Sequence, residues 1–154
     1  MPDEVVDAEV SRLLDEAELL DVRCYEIGAK ARAGFKLPKA RDDREMPTEL
    51  RVFIQRRKGE LGVRIRAEIL SDEAEVRADF AAIYTVPNEA LYSERAIKQF
   101  VAKDAIFTIF PFLREAIAEA TRRIGVEPHV LSMLRLKDLE GDLGGLEIDS
   151  SEPT

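Results

Sequence analysis

The chain has 154 residues, 45% of them hydrophobic, and a formal net charge of −8, which bounds it to one globular domain with a core of useful size. With an acidic opening from Met1 to Glu9 and no 18-residue apolar run, neither a signal peptide nor a membrane-spanning helix is expected, and a cytoplasmic location is expected. One cysteine, Cys24, permits no internal disulfide, and one histidine, His129, makes no zinc-ligand spacing with it, so no metal is expected.

The charge is unevenly spread. Residues 1–21 carry −7, residues 138–154 carry six acids and no base, and the body between them is therefore mildly basic at +5. From Asp3 to Leu20, Val6, Val10, Leu13, Leu14, Ala17 and Leu20 follow helical spacing with acids opposite, which predicts an amphipathic N-terminal helix. From Val22 to Ala33 the period changes to two: Tyr25, Ile27, Ala29 and Ala31 alternate with Cys24, Glu26, Lys30 and Arg32, as in a half-buried strand. A charged loop follows from Lys36 to Pro47.

Leu50, Val52 and Ile54, a turn at Arg57-Lys58-Gly59-Glu60, and then Leu61, Val63, Ile65, Ala67 and Ile69 give the clearest hairpin signal in the chain. A fourth strand follows, with Val76, Ala78, Phe80, Ala82, Tyr84 and Val86 on one face. The expected result is a four-stranded antiparallel meander. One face would be apolar, and the other would carry Lys30, Arg32, Arg51, Arg64, Arg66 and Arg77.

Tyr92 to Gly125 reads as one long helix with Ser93 as N-cap and Gly125 as its stop. Pro111 lies inside it and predicts a bend. Ile106, Phe107, Ile109, Phe110 and Phe112 point round most of its cylinder, so one sheet face cannot cover them all, and a second copy of the chain is expected to supply the remaining surface. Light scattering at micromolar concentration should therefore return more than a single-chain mass. Arg114 and Glu115 follow as expected interface residues. After Glu127-Pro128, His129 to Leu136 is a short extended apolar segment, and from Lys137 the acidic, glycine-rich composition predicts a disordered tail over 138–154 behind a single domain of 1–137.

Catalysis is not expected. The chain has no phosphate-binding glycine loop, no dinucleotide fingerprint and no nucleophile–histidine–carboxylate arrangement, so neither a cofactor nor a catalytic residue is assigned. The basic sheet face does not predict nucleic acid, because it lacks a glycine–aromatic RNA-binding motif and the chain is acidic overall.

A four-stranded antiparallel sheet followed by a long helix bearing Phe110-Pro111-Phe112-Leu113-Arg114-Glu115 resembles the SecB chaperone family, whose helix carries an [FY]-P-[YF]-x-R-E motif at this place. Ala82-Ile83-Tyr84-Thr85-Val86 matches in type the run that ends the family's last strand. The resemblance covers residues 20–136, and the leading helix and missing second C-terminal helix are closer to the SecB-like chaperones of toxin-antitoxin systems than to the general export chaperone. It implies an α+β fold, dimers and tetramers with the long helices between sheets, and ATP-independent binding of unfolded clients, an antitoxin among them. The export chaperone docks on the SecA motor through acidic sheet residues. Gly28, Arg32 and Arg77 stand at those places here, so SecA docking is not carried over.

A holdase needs exposed apolar segments beside a sheet. The expected client-binding set is Phe35 and Leu37 after the first strand, Phe53 and Ile83 on the polar sheet face, and Val130, Leu131, Met133 and Leu134 after the helix. The last four serve equally well as core cover. A different class remains open alongside: a non-chaperone oligomeric adaptor for one folded protein.

Overall fold

The computed structural model describes residues 2–32, 48–70, 74–125 and 148–149. The order is α1 (Pro2–Glu16), β1 (Glu18–Ala31), β2 (Thr48–Arg57), β3 (Glu60–Leu70), β4 (Ala74–Thr85), a 3-10 turn at Glu89–Leu91, α2 (Glu94–Phe100), a π-helical turn at Val101–Ala105, α3 (Ile106–Arg123) and β5 (Ile148–Asp149). The class is α+β, with four long antiparallel strands and helices on one side.

The hairpin forms as its alternation requires. β2 and β3 pair without interruption from Thr48↔Ile69 to Arg57↔Glu60. The two-residue turn is closed by Gly59 at φ +78°, a conformation that side chains resist. The Gly59 carbonyl accepts the Val86 amide at 2.9 Å and its own amide donates to Glu89 at 2.7 Å.

The strand order is β1-β4-β3-β2-β5, so only β2 to β4 form a meander. β1 pairs with β4 rather than β2, which makes the four long strands a Greek key. The long segment between Ala31 and Thr48 gives the chain length to cross over two strands, a freedom that a tight hairpin would deny it.

The N-terminal helix ends earlier than its periodicity suggests. Ala17 donates to the Leu13 carbonyl and closes α1, and Leu19 then pairs with Tyr84 in β1. Leu19 and Leu20 fit either period, and the ladder offered by β4 decides between them.

Val63, Ile65, Ala67 and Ile69 of β3 and Val76, Ala78, Phe80, Ala82 and Tyr84 of β4 are buried on the helix side, together with Leu13 of α1 and Ile106, Ile109, Leu113 and Ile117 of α3. Each fully buried Ile or Leu is worth roughly 1.5–3 kcal/mol. α1 also closes a satellite cluster of Val6, Val10 and Ala96 against α2.

The helical run from Glu94 to Arg123 begins as its sequence suggests. Ser93 caps it by accepting the Ala96 amide at 3.2 Å, and Gly125 at φ +75° follows its end. The departure from α geometry lies at Val101–Ala105, where the Ile106 amide donates to the Val101 carbonyl, while α3 runs on as α-helix through Pro111. Val101, Ala102 and Ala105 are buried, and Asp104 in the same turn accepts the Tyr84 hydroxyl at 2.9 Å, which ties the turn to β4. Burial, foremost, and that hydrogen bond push the Tyr84 phenol well above its ordinary pKa.

Candidate functional site

Two surfaces carry the chemistry of this chain. The first is the sheet face away from the helices. Cross-strand register brings Arg23, Ala81, Arg64 and Phe53 into one row and Glu26, Asp79, Arg66 and Arg51 into the next. Asp79 sits fully buried at the centre and accepts from Arg64 at 2.7 and 2.8 Å and from Arg66 at 3.0 Å. Burial alone would raise its carboxyl, but the hydrogen bonds from Arg64 and Arg66 outweigh that and the net shift is downward.

The same guanidiniums lie against aromatic rings. Arg64 is 4.3 Å from the Tyr25 ring centre and Arg66 is 5.8 Å from that of Phe53, within reach of cation–π attraction. Around this centre Arg77 pairs with Glu26 and Glu68, Arg51 with Glu49, and Arg23 with Asp21. The expected basic face is thus an interleaved ion lattice, with Phe53 left 46% exposed within it. Ile83 is on the same face, one strand beyond β3 and opposite Gly62, half-buried. These are the two client candidates that the structure describes; Phe35, Leu37, Val130, Leu131, Met133 and Leu134 lie outside the described residues.

The second surface is the β1 edge on the helix side. Bulges at Leu20 and Tyr25 interrupt the register of β1 with β4. The second places Cys24, not Tyr25, beside Phe80 and turns Tyr25 to the far face under Arg64. A single extra residue shifts the alternation by one, which the period-two reading of this strand missed. β1 is exposed along most of its length, including Leu19, Leu20 and Ile27, the last at 53%.

Beside it α3 leaves part of its apolar girdle uncovered. Ile106, Ile109 and Phe110 are buried in the chain's own core, whereas Phe107 is 45% and Phe112 44% exposed. Phe112 stacks at 6.1 Å on Phe80, whose strand neighbour is Cys24, so its exposed ring overlooks β1. Arg114 and Glu115 are exposed on the next turn. Among the described residues no three potential ligands gather as a metal site, and no helix is long and apolar enough to cross a membrane.

A Greek-key antiparallel sheet with a long interrupted helix on one face and a short helix leading into the first strand is the SecB-like architecture, and the chain is similar in sequence and in fold to SecB-like chaperones. The SecB-like chaperone SmegB of Mycolicibacterium smegmatis is 27% identical to it over 129 residues, covering 82% of either chain. The fold is that of the Mycobacterium tuberculosis SecB-like chaperone Rv1957, solved in complex with a ChAD peptide from the HigA1 antitoxin. The two align with a TM-score of 0.70 at 21% identity, over 83% of this chain and 97% of that one. No protein-family model matches the chain.

Proposed function

We propose that this protein is an ATP-independent holdase of SecB type, acting in the cytoplasm on unfolded or unstable polypeptides, with an antitoxin as its dedicated client. The similarity to SmegB along most of both chains carries the reading, and the Rv1957 complex supports the choice of client. The uncovered apolar residues suit it. Leu19, Leu20 and Ile27 on an edge strand, with Phe107 and Phe112 on the neighbouring helix, are what a chain needs to associate with copies of itself or with an unfolded segment.

In this reading the protein is a homo-oligomer, a dimer or tetramer, in which Phe107, Phe112, Arg114 and Glu115 meet a second copy. Client contacts fall to Phe35, Leu37, Phe53, Ile83, Val130, Leu131, Met133 and Leu134. The test is suppression of aggregation of a chemically unfolded protein without nucleotide. The wild type should protect, and a variant with Phe35, Leu37 and Phe53 changed to Ser should protect less with its oligomer unchanged. Equal protection by both would move the client site elsewhere.

The ion lattice favours a second reading, an adaptor that docks one folded partner, because Asp79, Arg64 and Arg66 hold each other in fixed geometry. Failure of the wild type to protect any unfolded protein, antitoxin included, together with capture of a folded partner that Phe53→Ser weakens, would favour it.

A further inference from the structure

The two edges of the sheet differ. β1 carries two bulges, a standard guard against further strand pairing. β2 has none from Thr48 to Arg57, and a regular edge offers unpaired amides and carbonyls to any extended chain. That edge is taken by the protein itself. β5 pairs with it in parallel, Ile148 in register with Ile54 and Asp149 with Gln55.

We infer that the outer edge of β2 is a strand-docking site for extended peptides that alternate apolar and acidic residues, and that Ile148–Asp149 of the same chain is its resident, displaceable occupant. Charge favours this class of peptide. β2 and its turn carry Arg51, Arg56, Arg57 and Lys58 against Glu49 and Glu60, a net positive charge, while residues 138–154 carry six acids and no base and contain the alternating run Leu146-Glu147-Ile148-Asp149. Length makes the occupant displaceable. Among the described residues the parallel pairing spans two positions and makes few ladder hydrogen bonds, whereas β2 is ten residues long and can pair with a longer strand. The site would give the proposed holdase backbone affinity for its client together with an internal competitor, so it deepens that reading and rests on it for its biological use.

The experiment uses the full-length wild type and the full-length variant Ile148→Pro, since proline in a two-residue strand removes an amide and disfavours the pairing. Hydrogen exchange of the amides from Val52 to Arg56 is read in both, and binding of a fluorescein-labelled synthetic peptide with the sequence of residues 143–152 is titrated against both. The expected result is exchange at least tenfold faster at the outward-facing amides of this stretch in the variant, and peptide binding at least tenfold tighter to the variant than to the wild type. A peptide with its three acids, at the positions of Glu147, Asp149 and Glu152, replaced by lysine should lose that affinity. Equal exchange in the two proteins, equal affinity for the peptide, or indifference to the charge reversal would each overturn the inference. Neither measurement involves an unfolded protein, so a chain that fails as a holdase leaves both results readable.

Discussion

β3 and β1 carry similar alternating sequences and have opposite fates. In β3 every second residue from Leu61 to Ile69 is buried, because β2 and β4 flank it and helices cover one face. In β1 the apolar residues sit on an edge whose helix cover is incomplete, and Ile27 is half exposed while Ile65 is buried. Alternation therefore says that a strand has an apolar face; what covers that face is decided by strand order, and among the described residues the β1 face is only partly covered. The contrast is the physical basis for expecting self-association.

The largest effect that follows is on the covered strand. Ile65→Ala should destabilise the chain by about 3 kcal/mol by leaving a cavity under the helices, whereas Ile27→Ala should cost within about 0.5 kcal/mol in the isolated chain. Denaturant unfolding at low protein concentration checks both, and comparable losses would mean that β1 is covered after all. Next comes the far face. Asp79→Asn removes the charge that Arg64 and Arg66 share and should cost about 2 kcal/mol. The folded pKa of Asp79 lies below its unfolded value, so its contribution is full above the ordinary carboxylate pKa of about 3.9 and is lost as pH falls through the folded value. Acid unfolding of the wild type should therefore steepen below about pH 4, and the Asn variant should lack that component. Third, Phe112→Asp gives up part of a ring stack and some burial, about 1.5 kcal/mol within the chain, while Phe107→Asp costs less. Both should lower the particle mass by light scattering while the fold persists, and an unchanged mass for both would remove the α3 girdle from the interface.

Much of this was legible in the residues. The β2–β3 hairpin, the Ser93 cap, the Gly125 stop and the apolar face of β4 each follow from a local rule that the fold does not override. The surplus around α3 was readable too, but not its division: that Ile106, Ile109 and Phe110 turn inward while Phe107 and Phe112 remain outside depends on the angle at which the helix crosses the sheet. Strand order escaped because pairing partners are chosen across the chain, and a period of two looks the same beside β2 or β4. The bulge at Tyr25 escaped because no residue type marks the extra position, although it shifts the alternation by one and decides that Tyr25 meets Arg64 on the far face. Nothing local in the sequence marks out Asp79. Only the register that brings Arg64 and Arg66 to it shows that it is the centre of that face.

The smallest effect sharpens the comparison from the covered side, where α1 must be held in place to shield its share of the core. Ser93 does two things at once: its hydroxyl oxygen accepts the Ala96 amide at 3.2 Å, and its hydroxyl donates to Glu9 of α1 at 2.7 Å, beside a further bond from the Ser93 amide to the same carboxylate. Ser93→Ala loses both side-chain bonds and should cost about 1 kcal/mol. Aspartate ordinarily caps as well as serine, but here it would place a second carboxylate against Glu9 and have no proton to donate to it. Asparagine keeps an acceptor for Ala96 and a donor for Glu9. The expected order of stability is therefore Ser, then Asn, then Asp, then Ala, with the gap between Asn and Asp closing in Glu9→Gln, where the repulsion is gone. Thermal melts of the four variants in both backgrounds measure it. A gap that survives Glu9→Gln would mean that Ser93 acts as a helix cap alone and that α1 is held to α2 by Val6, Val10 and Ala96 without it.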